Sequence, residues 1–179
     1  MSVQSLIYAP NPIFKKISNR VEQFDETLKQ HVQDLFDTLD YEQGVGMASP
    51  MIGVLQRVIV TDLQENGISN AHVFVNPVIT ERSDEMQTHE EASLCFPGIS
   101  AEITRSQRIT LQYHTLDGDV KSLKAEGFFA SVIQHEMDYL DGKTYLDFLS
   151  KLKKDVLIRK MKKHMKQYPP HIHGEHCHH

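Results

Sequence analysis

Gln134-His135-Glu136-Met137-Asp138-Tyr139 decides how the rest of this chain is read. A helix brings residues i and i+4 onto one face, so a His-Glu-x-x-His pattern aims two imidazoles at one metal ion while the glutamate activates a bound water. Here the i+4 position is Tyr139. Phe128, Ser131, Val132, His135 and Tyr139 recur at helical spacing behind Gly127, and Asp141-Gly142 ends the run. The spacing predicts a helix with those side chains on its inner face. Taken alone, a histidine on an apolar helix face serves a core more often than it binds a metal.

Upstream of this helix, Glu102 to Thr115 reads as a single strand turned by Asp117-Gly118 into Val120 to Ala125. Glu91-Ala92-Ser93-Leu94-Cys95-Phe96-Pro97-Gly98 reads as extended, with Ser93 and Cys95 on one strand face, and Glu81 to Glu90 as a polar connection. Val54 to Leu63 and Ala71 to Thr80 form two strands about a polar turn at Gln64 to Gly67. Gly44-Val45-Gly46-Met47-Ala48-Ser49-Pro50-Met51 concentrates glycine and small residues, which suits backbone packed closely on another segment or on a ligand. Before it, Leu28, Val32, Leu35, Phe36 and Leu39 mark an amphipathic helix capped by Asp25. Residues 1–24 read as an irregular arm.

Downstream, Thr144 to Phe148 reads as a short extended run. Lys151 to Gln167 reads as a basic surface helix packed by Leu152, Val156, Ile158, Met161 and Met165. Pro169-Pro170 stops it. Residues 1–168 are expected to form a single domain, and the His-rich 169–179 a flexible tail able to bind Ni²⁺, Zn²⁺ or Cu²⁺.

The chain has 179 residues, 40% hydrophobic and 24% charged, enough for one sizeable core. Its net charge of −5 gives no general basic surface, so specific DNA binding is not expected. Neither a leader pattern nor an 18-residue apolar stretch is visible, so no membrane association and a cytoplasmic location are expected. Two cysteines, Cys95 and Cys177, are too few for a disulfide framework and read as reduced thiols.

Three separated stretches, Gly44 to Pro50, Glu91 to Gly98 and Gln134 to Gly142, resemble in order and spacing the three signature motifs of the peptide deformylase family. The similarity runs nearly end to end. It implies an α+β fold, with mixed or antiparallel strands around the helix carrying His135-Glu136, and a C-terminal helix outside. It also implies the family reaction, hydrolytic removal of the formyl group from N-terminal formylmethionine with Fe²⁺, or with Zn²⁺ or Ni²⁺ in its place.

By that resemblance the metal ligands fall on Ser93, His135 and Tyr139, of which only His135 is retained. Glu136 falls on the general acid/base, and the backbone N–H of Leu94 on an oxyanion donor. Met51 stands where the family has a glutamine that is the second donor. Val45, Gly46, Glu91, Phe128, Ser131 and Val132 are implied in substrate binding, and Glu91 and Arg105 in a buried pair beneath the site. Cys95 is held as an alternative ligand should the strand register shift. One donor is worth roughly 10²- to 10³-fold in rate, and a metal brings the pKa of water from about 15.7 to about 7. The expectation is a crippled or inactive family member. The alternative is a non-catalytic module that binds formylmethionyl or Met-like N-termini, or a ribosomal partner through the basic helix.

Overall fold

The computed structural model describes residues 2–171. Helix α1 (Glu26–Tyr41) starts where expected, with the Asp25 carboxylate accepting the Leu28 N–H at 3.1 Å. That bond satisfies one of the four N–H groups a helix start leaves unpaired. Strands β1 (Gly46–Ala48), β2 (Val58–Asp62) and β3 (Ala71–Arg82) follow, then β4 (Met86–Ser93), β5 (Phe96–Ser106), β6 (Arg108–His114) and β7 (Val120–Glu126). Helices α2 (Gly127–Leu140) and α3 (Lys151–Gln167) follow. One antiparallel sheet has the order β1-β2-β3-β6-β7, and β4 pairs with β5 in a second. This is the expected α+β architecture.

Helix α2 is the element around which both sheets close. Instead of burying one face it is buried all round from Ala130 to Met137. The polar Gln134 is accommodated because its amide donates to the carbonyls of Ser106 (2.9 Å) and Ala130 (3.0 Å) and accepts from Arg82 (3.0 Å). A buried polar side chain tolerates such a position only when its hydrogen bonds are made.

Five local expectations fail, each for a physical reason. The segment Glu81 to Glu90 is not a connection, because β3 runs to Arg82 and β4 begins at Met86. The less exposed residues of β4 are Gln87, His89, Glu91 and Ser93, so its inner face is polar and shows no hydrophobic alternation. Glu102 to Thr115 is two strands rather than one. The chain changes sheet at Gln107, whose N–H donates to Glu85 and whose carbonyl accepts from Gly127, while the same alternate positions stay buried through Ile103, Arg105, Ile109 and Leu111.

Tyr145–Phe148 is a 3₁₀ turn, not extended, because the Asp147 carboxylate accepts the Thr144 N–H at 2.9 Å. In α3 the packed stripe is Leu157, Ile158, Met161 and Met165, and Leu152 and Val156 are exposed. The helix lies against β5 with His164 over Gly98, which sets the rotation of its face. Finally, Ser93 pairs with Phe96, so Leu94 and Cys95 form the turn between β4 and β5 and do not continue a strand.

Gly142 ends α2 at φ +69°, and a Cβ there would lie 2.7 Å from the Lys15 carbonyl carbon and oxygen. Gly67, at φ +75° in the β2–β3 turn, has nothing within 4 Å of the same position. Gly67→Ala is expected to cost only the left-handed strain, about 1–2 kcal/mol. Gly142→Ala should cost about 1–3 kcal/mol more from the backbone clash. Urea unfolding of the two variants checks the difference; equal losses would refute the close packing of the arm on α2.

Candidate functional site

Four segments meet at the inner end of β4: its last residue Ser93, the turn at Leu94-Cys95, the first residues of β1, and α2 from Phe128 to Tyr139. The glycines of the β1 segment are explained by contacts within the chain. A Cβ on Gly44 would meet Leu39 at 2.8 Å and Leu94 at 3.0 Å, and one on Gly46 would meet Val132 at 2.9 Å and Glu136 at 3.0 Å. Only glycine lets β1 approach α2 this closely. Between them lies a cleft of about 340 Å³ whose lining includes Val45, Gly46, Met51, Glu91, Ser93, Leu94, Phe128, Ser131, Val132, His135 and Glu136. Phe128 and Val45 form its exposed rim.

Gln43 and His89 also line the cleft, although sequence reasoning did not select them. His89 stands two residues before Glu91 on the same strand face, packed edge-on against Phe128 with ring centroids 5.9 Å apart. The alternation Gln87, His89, Glu91 could have revealed it. Nothing in the sequence marks Gln43, which adopts φ +55° beyond α1.

Beneath the cleft runs a buried chain of charges. Arg105 donates to Glu91 at 2.7 and 2.9 Å and to Asp138 at 2.9 Å, and its guanidinium sits 4.7 Å from the centre of the Phe148 ring. Burial works against the charge on Glu91, but hydrogen bonds from His135 and Arg105 outweigh it and hold the carboxyl below its ordinary pKa. Glu91 Oε1, one of the two oxygens held by Arg105, also accepts from His135 Nδ1 at 2.7 Å. A carboxylate can only accept, so the proton is on Nδ1 and Nε2 is turned towards Glu136, 4.0 Å from its Oε1. Burial lowers the pKa of His135, while the Glu91 bond and the Glu136 charge outweigh it and raise the net value.

Tyr139 is fully buried, and its hydroxyl is 2.5 Å from Ser93 Oγ. Its ring is edge-on to Phe14 (5.6 Å) and to His135 (5.8 Å). Burial, then the potentials of Cys95 and Glu136, push its pKa well above the ordinary range, so the phenol keeps its proton. Cys95 is also fully buried, and burial raises its thiol pKa. Met51 is turned inward, its Sδ accepting the Ala48 N–H at 3.3 Å. The donor set does not suit a divalent metal: Ser93 and Tyr139 are joined by one hydrogen bond between their hydroxyls, and both are protonated oxygens. Among the described residues, no three His, Cys, Asp or Glu side chains converge as metal ligands. The His-rich tail falls mainly on residues 172–179, outside the described residues.

Glu136 is the outlying group in this environment. It is 5% exposed, and its Oε2 has no hydrogen-bond partner. Burial raises its pKa to about 7, with His135 opposing and Glu91 adding to the shift. A carboxyl whose folded value exceeds its unfolded value of 4.5 contributes stability that is complete below 4.5 and lost as pH rises through about 7. Glu136→Gln is therefore expected to stabilise the protein at about pH 8 by roughly 3 kcal/mol and to change little at about pH 4. Urea unfolding at both values measures this; a difference independent of pH would show an unperturbed carboxyl.

The polypeptide deformylase family model matches residues 3–155. A peptide deformylase-like protein of Rickettsia conorii (strain ATCC VR-613 / Malish 7) is 50% identical over 174 residues, covering 97% of this chain and 95% of that protein. A peptide deformylase of Brucella suis biovar 1 (strain 1330) is 40% identical over 164 residues, covering 91% and 94%. Among solved structures, the Ehrlichia chaffeensis peptide deformylase superposes with a TM-score of 0.88 at 33% identity over 93% of this chain and 98% of that one. The deformylase of the same organism in complex with actinonin gives 0.87 at 34% identity over 95% and 100%. With the family model matched over residues 3–155 and solved deformylases superposing along nearly the whole length, the chain belongs to the peptide deformylase family, a family of metalloenzymes acting on N-terminal formylmethionine peptides.

Proposed function

We propose that this chain is a deformylase-family protein with weak or no hydrolytic activity towards formylmethionyl N-termini. The observation that carries this reading is the 2.5 Å hydrogen bond between Ser93 and Tyr139. It closes two of the three positions where the resemblance puts metal ligands, and Met51 has no side-chain N–H to offer at the third altered position. Glu136 keeps the general-base position without a metal-activated water beside it. The test is a formyl-Met-Ala-Ser hydrolysis assay joined to metal analysis on a chain ending before His171, which keeps the tail out of the measurement. Substoichiometric metal and a rate no greater than that of Glu136→Gln are expected. Stoichiometric Fe²⁺, Zn²⁺ or Ni²⁺ with a rate abolished by Glu136→Gln would refute the reading. If metal is retained only by the chain that includes residues 171–179, the tail is its site.

A second reading is favoured by the cleft itself, which stays open at about 340 Å³ with Phe128, Val132 and Leu94 in its walls. It is a cytoplasmic binding module for Met-like N-termini. The seven lysines and Arg159 of α3 suit an additional translation partner such as the ribosome. No helix among the described residues is long and apolar enough to cross a membrane.

A further inference from the structure

We propose that the outward face of α3 docks on the headgroup region of an anionic lipid bilayer. The inference rests on neither reading of the cleft. Helix α3 carries eight of the chain's 19 lysine and arginine residues and only one of its 24 acidic residues, Asp155. The remainder of the chain is therefore strongly acidic, and an anionic surface attracts one side of the molecule while repelling the rest. Of the eight cations only Lys154 is in a salt bridge among the described residues, with Asp147. The other seven are exposed.

Charge alone suits nucleic acid as well as lipid, and two apolar side chains separate them. At about 3.6 residues per turn, Leu152, Val156, Arg159 and Lys163 share one face of the helix, opposite the fully buried Met161 of the packed stripe. Leu152 is 72% exposed and Val156 47%. Lys160 and Lys162 flank this face on either side. Two branched aliphatic side chains thus point outward among cations. A phosphate backbone offers them little, because it is bound through N–H and O–H donors. A bilayer surface takes both kinds together. Lysine ammoniums meet the lipid phosphates, while their methylene stems and the aliphatic side chains enter the boundary between headgroups and acyl chains. A helix that lies on the surface needs no spanning stretch. At 17 residues α3 is about 25 Å long, so several cations reach the headgroups at once.

Flotation of the full chain with phosphatidylcholine vesicles, with and without phosphatidylglycerol, tests this at about pH 8, where ordinary histidines such as those of the tail are neutral. The chain is expected to float only with the phosphatidylglycerol vesicles and to be released by salt. Leu152→Gln with Val156→Gln keeps every cation and alters only exposed positions; it should weaken binding roughly 10- to 100-fold. Lys160→Glu with Lys163→Glu should abolish it. No flotation with phosphatidylglycerol vesicles overturns the proposal. Flotation undiminished in the Leu152→Gln, Val156→Gln chain also overturns it, by reducing the attraction to charge alone. A ribosomal RNA fragment supplies the remaining arm. RNA that strips the unaltered chain from the vesicles, and binds the aliphatic variant equally well, assigns α3 to nucleic acid and overturns the proposal. None of these four positions lines the cleft, so failure here leaves the deformylase-family reading standing.

Discussion

Replacing Ser93 with Cys and Tyr139 with His together is expected to yield a protein that retains a divalent metal ion through dialysis, while either replacement alone does not. His135 already has the arrangement a metal-binding histidine needs, with its Nδ1–H held by Glu91 at 2.7 Å and Nε2 turned away from that bond. What it lacks is company. Ser93 and Tyr139 are 2.5 Å apart through their hydroxyl oxygens, so side chains at these two positions point at a common place. A thiolate and a second imidazole there complete a three-ligand set of the kind a catalytic zinc site uses. A lone new ligand leaves two, which is too few to hold an ion against dialysis.

Adding Met51→Gln should then raise formyl-Met-Ala-Ser hydrolysis by about 10²- to 10³-fold over the two-site variant, the usual worth of one oxyanion donor. Metal analysis and the hydrolysis rate are the readouts. A folded double variant that remains metal-free would show that more than ligand chemistry separates this site from its relatives.

Arg105→Ala is expected to be the most damaging single substitution in the domain, costing about 3–5 kcal/mol. Arg105 is 4% exposed and is the sole cation placed between Glu91 and Asp138 among the described residues. Its removal leaves Glu91, also buried, with only His135 as a partner. For a chain of this size each kcal/mol corresponds to about 2–4 °C, so the melting temperature should fall by roughly 6–20 °C. Replacing both members, as Glu91→Leu with Arg105→Met, should cost less than Arg105→Ala alone, because the buried Glu91 charge is removed with its partner and only the more exposed Asp138 loses its cation. Thermal melts of the three proteins decide this.

The pH dependence carries the same signature. Glu91 is held below its ordinary value of 4.5, so its contribution is present above that value and lost as pH falls through the depressed one. Arg105→Ala should flatten this acid limb. An unchanged limb would remove Glu91 from the account of acid stability.

Much of the fold was legible because repeating local patterns carry it. Asp25 with its apolar helical stripe, Asn66-Gly67 and Asp117-Gly118 between alternating segments, and Gly127 to Gly142 each specify their elements by side-chain period and turn chemistry. Strand β4 was not legible, because it turns polar residues inward to line the cleft, and neither was the change of sheet at Gln107, where one rhythm of burial serves two sheets. The altered motif positions Met51, Ser93 and Tyr139 could be named from the residues and their resemblance to the family.

What those replacements do to one another is a tertiary matter. That the Ser93 and Tyr139 hydroxyls meet, that Cys95 sits in a turn beside Ser93, and that Glu136 lies buried with an unpaired oxygen all depend on packing β4, β5 and β1 around α2. By itself the sequence determined the elements and which chemistry-bearing residues had changed. Only the tertiary structure decided which of those side chains face one another, because hydrogen-bond reach and burial are set by contacts between residues more than forty positions apart, as Ser93 and Tyr139 are.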